Sequence, residues 1–204
     1  MPGPVDRAFR EWTSGLDPTS SRIAIFQHIR DIPYSLNARE NAGDSPAERI
    51  LLAGRGSCGP KHYLLAEMYR LLGLEVAYAT FPFLWDDPDL LYPPNLRRLA
   101  TGLPVAYHLA CRVRIDNRWV LVDATWDFKL KKAGFPVNEN WDGTSSTKNA
   151  VTPIKEIIHD TLEDRVRFAA EHKKSWTQEQ ARAHEKFPAL LNAWLELCRK
   201  EDRL

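Results

Sequence analysis

The chain is poor in cysteine: its 204 residues hold only Cys58, Cys111 and Cys198. The number is odd, the spacings are wide and no Cys-x-x-Cys pair occurs, which argues against a disulfide framework and against a structural zinc site. What remains is a reduced compartment in which at most one thiol has a chemical task. No apolar run approaches the roughly 18 residues that a membrane span requires. The first ten residues, MPGPVDRAFR, hold no apolar stretch of the secretory kind, so the expectation is a cytoplasmic chain without a membrane partner. An excess of one charge is missing too, since 28 Lys+Arg face 27 Asp+Glu and leave a net charge of +1. Such a balance provides no global field to hold nucleic acid. The one basic cluster, Arg112, Arg114 and Arg118 with Lys129, Lys131 and Lys132, is expected to be a solvated face. Internal repeats and low-complexity tracts are absent.

What is present is an ordinary globular mixture, 44% hydrophobic and 27% charged, in a length that suits one domain or a domain with an extension. Residues 1–20, with three prolines and Gly15, are expected to be a loose lead-in. Ile25, Phe26 and Ile29 mark one face of a helix over 21–30. Ser45-Pro46-Ala47-Glu48 is a capping box that predicts a helix ending at Gly54. After Gly54-Arg55-Gly56-Ser57, the residues Leu64, Leu65, Met68, Leu71 and Leu72 form the stripe of a second helix that Gly73 closes. Cys58 therefore stands at the start of a buried helix. A strand is expected over 74–81, then a long proline-rich loop over 82–104 of the kind that forms lids. Residues 106–115 and 118–124 read as a hairpin about Asp116-Asn117, and 129–153 as a second long loop. Helices follow, capped at Thr161 and Thr177, with Pro188 opening the last. The order predicts an α+β fold, with a core over 21–155 and a helical extension over 156–204 packed on it.

The hairpin carries the chemistry. With a two-residue turn, Ile115 faces Arg118 and Asp123 lies opposite Ala110, two residues from His108. Side chains alternate, so His108 and Asp123 share a face as a diagonal pair about 7–8 Å apart at the backbone, within reach of an imidazole–carboxylate hydrogen bond. Asp127 is the rival acid, but it sits past the end of the strand. A thiolate at the start of a helix is stabilised by free N–H groups and the helix dipole, and further by a nearby imidazolium. The same N–H groups can hold the oxyanion of an acyl-transfer intermediate. Cys58, His108 and Asp123 thus make a complete nucleophilic apparatus, provided that the hairpin packs against the helix. Cys111 and Cys198 sit in apolar stripes and read as core.

The segment GRGSCGPKHYLLAEMYRLLGLEVAYAT, followed by YHLACRVRIDNRWVLVDATWD, resembles the transglutaminase-like superfamily. The match covers about residues 22–127, with Asp-Ala-Thr where the family has Asp-Pro-Thr and His62 where it has a small residue. The resemblance implies a papain-like core, a nucleophile-bearing helix packed on an antiparallel sheet. It also implies thioester chemistry with Cys58 as nucleophile, His108 as base and Asp123 as orienting acid. Arylamine N-acetyltransferases use the same three residue types in this order, but their Asp-Val-Gly-Phe is absent. The oxyanion side chain is Tyr34 or Asn37, with Tyr34 preferred. Trp119, Trp126 and His62 are candidates for the substrate groove, and His62 is also a rival base.

The expected function is cysteine-dependent acyl transfer on a peptide, a protein or a small amide or ester. The acyl group passes to water, as in a peptidase or amidase, or to an amine, as in a transglutaminase. No metal or organic cofactor is required. The alternative is a non-catalytic module on the same fold that binds a peptide or protein in the groove.

Overall fold

The computed structural model describes residues 2–36, 45–172 and 176–200. Asn37 lies outside them. Four helices come first: α1 Pro4–Thr13, α2 Pro18–Arg30, α3 Pro46–Ala53 and α4 Cys58–Leu71. Strand β1 (Val76–Phe83) and helix α5 (Pro94–Thr101) lead to the hairpin β2 (Ala106–Ile115) and β3 (Arg118–Val122). A 3-10 helix over Phe128–Ala133, a short strand β4 (Ile157–His159) and helices α6 (Leu162–His172) and α7 (Gln178–Lys200) complete the order.

Several elements follow directly from local chemistry. The Ser45 hydroxyl accepts the Glu48 N–H and Gly54 closes α3 in the left-handed conformation; such a serine cap contributes about 1 kcal/mol. Asp116 and Asn117 both take positive φ, the two-residue turn whose twist suits a hairpin. Thr177 and Gln180 cap α7 reciprocally.

Other elements differ from expectation, chiefly because prolines that read as breakers act as starters. The lead-in expected to be loose is helical from Pro4, whose fixed φ suits a first helical position. Val5, Ala8, Phe9 and Trp12 recur at helical spacing and pack on the core. Pro94 opens α5 inside the expected loop, and Leu96 and Ala100 hold it down. Pro188 instead lies within α7, which continues through it. Burial of Phe187, Pro188, Leu191 and Leu195 outweighs the lost backbone hydrogen bond.

The sheet is antiparallel throughout, in the order β3-β2-β1-β4. Odd-numbered β2 residues Leu109, Cys111, Val113 and Ile115 pack with α2, α3 and α4 in one core, where each fully buried leucine contributes about 1.5–3 kcal/mol relative to exposure. Ala110 shares the opposite face with Ala79, Phe81 and Leu121. A second core joins Phe83, Trp85, Leu96 and Trp126 to Phe187, Leu191 and Leu195 of α7. Cys58 touches both large cores, at the seam between them.

Arg112, Arg114 and Lys131 of the basic cluster are ion-paired to Glu156, Glu75 and Glu139. Among the described residues no helix is long and apolar enough to cross a membrane.

Candidate active site

Cys58 is the first residue of α4, and Ser57 before it is extended. The first-turn N–H groups of a helix have no intrahelical acceptor, which leaves those of Cys58 and Gly59 available; Pro60 has none to lose. The first hydrogen bond of the ladder runs from the Lys61 N–H to the Ser57 carbonyl. The approach is fixed by Gly56, whose N–H donates to the Pro33 carbonyl and whose own carbonyl accepts the Ser35 N–H. The strand-like bridge between Tyr34 and Gly56 therefore brings the Tyr34 loop alongside the lead into Cys58.

The hairpin has the register that a two-residue turn dictates, with Ile115 opposite Arg118 and Cys111 opposite Val122. His108 and Asp123 meet: His108 Nε2 lies 2.7 Å from Asp123 Oδ2, and both side chains are buried. The Asp123 carboxylate also accepts the Ala150 N–H at 2.8 Å and the Thr125 N–H at 3.2 Å. The His108 charge first, then the His108 hydrogen bond, outweigh burial and hold its carboxyl far below the usual range. With Nε2 so engaged, Nδ1 is the nitrogen left for the sulfur, and His108 and Cys58 line the same cavity. Burial pushes the Cys58 thiol up, but the His108 hydrogen bond and charge, the Leu109 N–H and the Arg165 charge bring it below its ordinary value. Burial likewise depresses His108, yet Asp123 and Cys58 raise it to about 10. Both shifts favour a thiolate–imidazolium pair at neutral pH.

A cavity of about 270 Å³ opens at this pair, lined among others by Tyr34, Phe83, Trp85, Trp126 and Phe187. A depression of about 210 Å³ shares Phe83, Trp85 and Trp126 with it and prolongs the groove. The Tyr34 ring packs on Trp126 with centroids 4.3 Å apart. Burial first, then the Cys58 charge, raises its phenol well above 10, so the hydroxyl stays protonated and able to donate. The loop that carries Tyr34 is clamped from the far end of the chain. Asp127 accepts the Tyr34 N–H, Arg199 donates to the Tyr34 carbonyl, and Arg199 pairs with Asp127 at 2.8 Å. Asp127, the rival acid, is thus committed to this clamp.

Two expected groove residues lie elsewhere. Trp119 is 48% exposed at the hairpin end, opposite Arg114, and does not line the cavity. His62 is buried and does not line the cavity; its ring is taken up by the Cys58 carbonyl and by the backbone that follows Asp123. Its Nδ1 bonds the Cys58 carbonyl at 2.8 Å, and its Nε2 accepts the Ala124 N–H. Sequence reasoning missed Phe83, Trp85 and Phe187, which contact assembles from β1, the following loop and α7, with no shared spacing to signal them. Among the described residues no group of three or more His, Cys, Asp or Glu is arranged to hold a metal ion.

A family model described as the transglutaminase-like superfamily matches residues 8–124, more than half of the chain and a span that includes all three residues of the constellation. No curated protein matches. Among solved structures, a candidate cysteine protease from Cytophaga hutchinsonii is similar at 19% identity with a TM-score of 0.43. The alignment covers 62% of this chain but only 38% of that one, so the chain spans well under half of that protein's length.

Proposed function

Because the chain belongs to the transglutaminase-like superfamily, we propose that it is a cysteine-dependent acyl-transfer enzyme acting on amide or ester bonds through a thioester. The reading is carried by one observation: Cys58, at the start of a helix, lines one cavity with an imidazole that a buried carboxylate grips at 2.7 Å.

The Cys58 thiolate attacks the carbonyl carbon, and the C=O electron pair moves onto oxygen. The N–H groups of Cys58 and Gly59 and the Tyr34 hydroxyl, which line the same cavity, receive that oxyanion. As the oxyanion collapses, the C–N or C–O bond breaks and His108 gives its proton to the departing amine or alkoxide. Asp123 keeps the ring oriented and stabilises the imidazolium between turnovers. The incoming water or amine attacks the thioester and gives a proton to His108, and the expelled thiolate restores the ion pair. Neutral His62 cannot replace His108, since both its nitrogens are engaged by backbone. Three free cysteines suit a reducing compartment such as the cytoplasm.

The test is thiol labelling at neutral pH with iodoacetamide, followed by mass spectrometry of Cys58 after incubation with peptide and ester libraries. Rapid labelling that collapses in His108→Ala, with an acyl adduct on Cys58, is the expected result. Parallel assays of hydrolysis and of amine incorporation then tell the two acceptors apart. Slow labelling indifferent to His108→Ala would remove the catalytic reading and leave a binding module.

A further inference from the structure

Among the described residues, other arginines with little exposure have hydrogen-bond partners. Arg22 donates to the Gly143 carbonyl and to Thr19, Arg30 to Asp31 and two carbonyls, and Arg199 to Asp127, Glu196 and the Tyr34 carbonyl. Arg165, in the first turn of α6, departs from this pattern. It is 5% exposed, yet its Nε and Nη1 have no hydrogen-bond partner. No carboxylate of the described residues forms an ion pair with it; its neighbour Asp164 is held by Thr161 and Arg167. A buried cation without a counter-charge is costly, so a fold that retains one at a cavity holds it ready for something that arrives.

Arg165 lines the same cavity as Cys58 and His108, and its charge is felt at the sulfur. The buried Thr125 hydroxyl, also at this cavity, is a second polar group without a partner. Much of the remaining wall is apolar, with Phe83, Trp85, Leu103 and Phe187, while Ser57, Tyr34, Tyr107 and His184 add polar groups to it. A volume of about 270 Å³ lies just below the range of about 300–1,000 Å³ typical of pockets for drug-sized ligands.

On the acyl-transfer reading above, on which this inference rests, we propose that Arg165 is the anion subsite of the active-site cavity. The substrate fragment seated beside Cys58 is small, has an apolar body, and carries an oxyanion, a carboxylate or a phosphate ester, that pairs with the guanidinium. Arg165 thereby sets specificity rather than chemistry, and its partner enters with each substrate.

The experiment compares iodoacetate with iodoacetamide as alkylating agents of Cys58 in the full chain, for the wild type, Arg165→Gln and Arg165→Lys. A second readout is protection from iodoacetamide by phenylacetate, phenyl phosphate and neutral phenylacetamide. The proposal expects the iodoacetate-to-iodoacetamide rate ratio to fall about tenfold in Arg165→Gln, the weight of one charge-assisted hydrogen bond, with partial recovery in Arg165→Lys. It also expects protection by an anionic probe that Arg165→Gln abolishes; phenylacetate alone identifies a carboxylate, and phenyl phosphate a phosphate. Equal slowing of both reagents in Arg165→Gln would mean that the guanidinium serves only the thiolate, and would overturn the subsite. So would equal protection by the neutral amide. Rapid, His108-dependent labelling without charge preference defeats the subsite alone, whereas slow labelling that His108→Ala leaves unchanged defeats the acyl-transfer reading itself. Thermal melting of Arg165→Gln, which removes a buried unpaired charge, verifies that the variant folds.

Discussion

His62 Nε2 accepts the Ala124 N–H at 3.0 Å, while its Nδ1 is bonded to the Cys58 carbonyl at 2.8 Å. An imidazole that accepts at one nitrogen and donates at the other is neutral, with its tautomer fixed. The ring therefore ties the start of α4 to the residue after Asp123. It aligns the two halves of the site without entering the cavity.

Protonating that ring breaks the tie. Burial pushes His62 down to about 4, against an ordinary value of 6.5 in the unfolded chain. Between these values the unfolded chain binds a proton that the folded chain does not, so stability is full above pH 6.5 and declines as pH falls toward 4. The loss should amount to about 3 kcal/mol. Urea unfolding at pH 7.5 and pH 4.5 checks this, and in His62→Gln the difference between the two pH values should shrink by that amount.

Asp123→Asn keeps the shape of the side chain, but its single amide oxygen can accept only one of the Ala150 and Thr125 N–H groups, which donate to different carboxylate oxygens, so some loss of stability should accompany the change. It removes the charge that raises His108, so the imidazolium that stabilises the Cys58 thiolate is weakened and the thiol ionises at higher pH. Turnover should drop on the order of 10²–10⁴-fold, with the pH-dependent rise of Cys58 labelling moved to higher pH.

Tyr34→Phe deletes one hydroxyl and leaves the packing on Trp126 in place. If that hydroxyl receives the oxyanion, kcat should fall about 10²–10³-fold with Tm nearly unchanged and iodoacetamide labelling of Cys58 intact. An unchanged kcat would assign the oxyanion to the helix N–H groups alone.

Gly56→Ala acts on the lead into Cys58. A β-carbon there would stand 2.8 Å from Ile50 Cδ1 and 3.1 Å from its Cγ1, in a buried site. Overpacking should cost about 1–3 kcal/mol and slow the labelling of Cys58. Adding Ile50→Val, which removes the closer methyl, should restore part of both, as measured by denaturant unfolding and alkylation rates.

The parts of this architecture that were legible in the sequence are those that local chemistry decides. The Asp116-Asn117 turn sets the hairpin register, and parity then puts His108 and Asp123 on one face. Ser45 and Gly54 bound α3, and the leucine stripe of α4 points Cys58 at its start. Illegible parts depend on contacts between distant segments. Pro4 and Pro94 look identical to breakers until the apolar faces behind them find a core, and β4, three residues long, exists through its pairing with Tyr78, Ala79 and Thr80. The burial of His62 reflects its bond to Ala124, far along the chain. Arg165 left no signal, because an unpaired buried charge is defined by what surrounds it and not by its neighbours in sequence.

The Arg199–Asp127–Tyr34 clamp also has a consequence in time. Translation runs from the amino terminus, so the nucleophile, the hairpin and the tyrosine loop all leave the ribosome well before position 199. Until that arginine emerges, Asp127 lacks its counter-charge and the Tyr34 carbonyl its donor. A nascent chain thus carries Cys58 beside an unsecured tyrosine, and on the proposed function its activity waits for α7 to be made. Nicking α7 in the finished protein would return it to that immature condition.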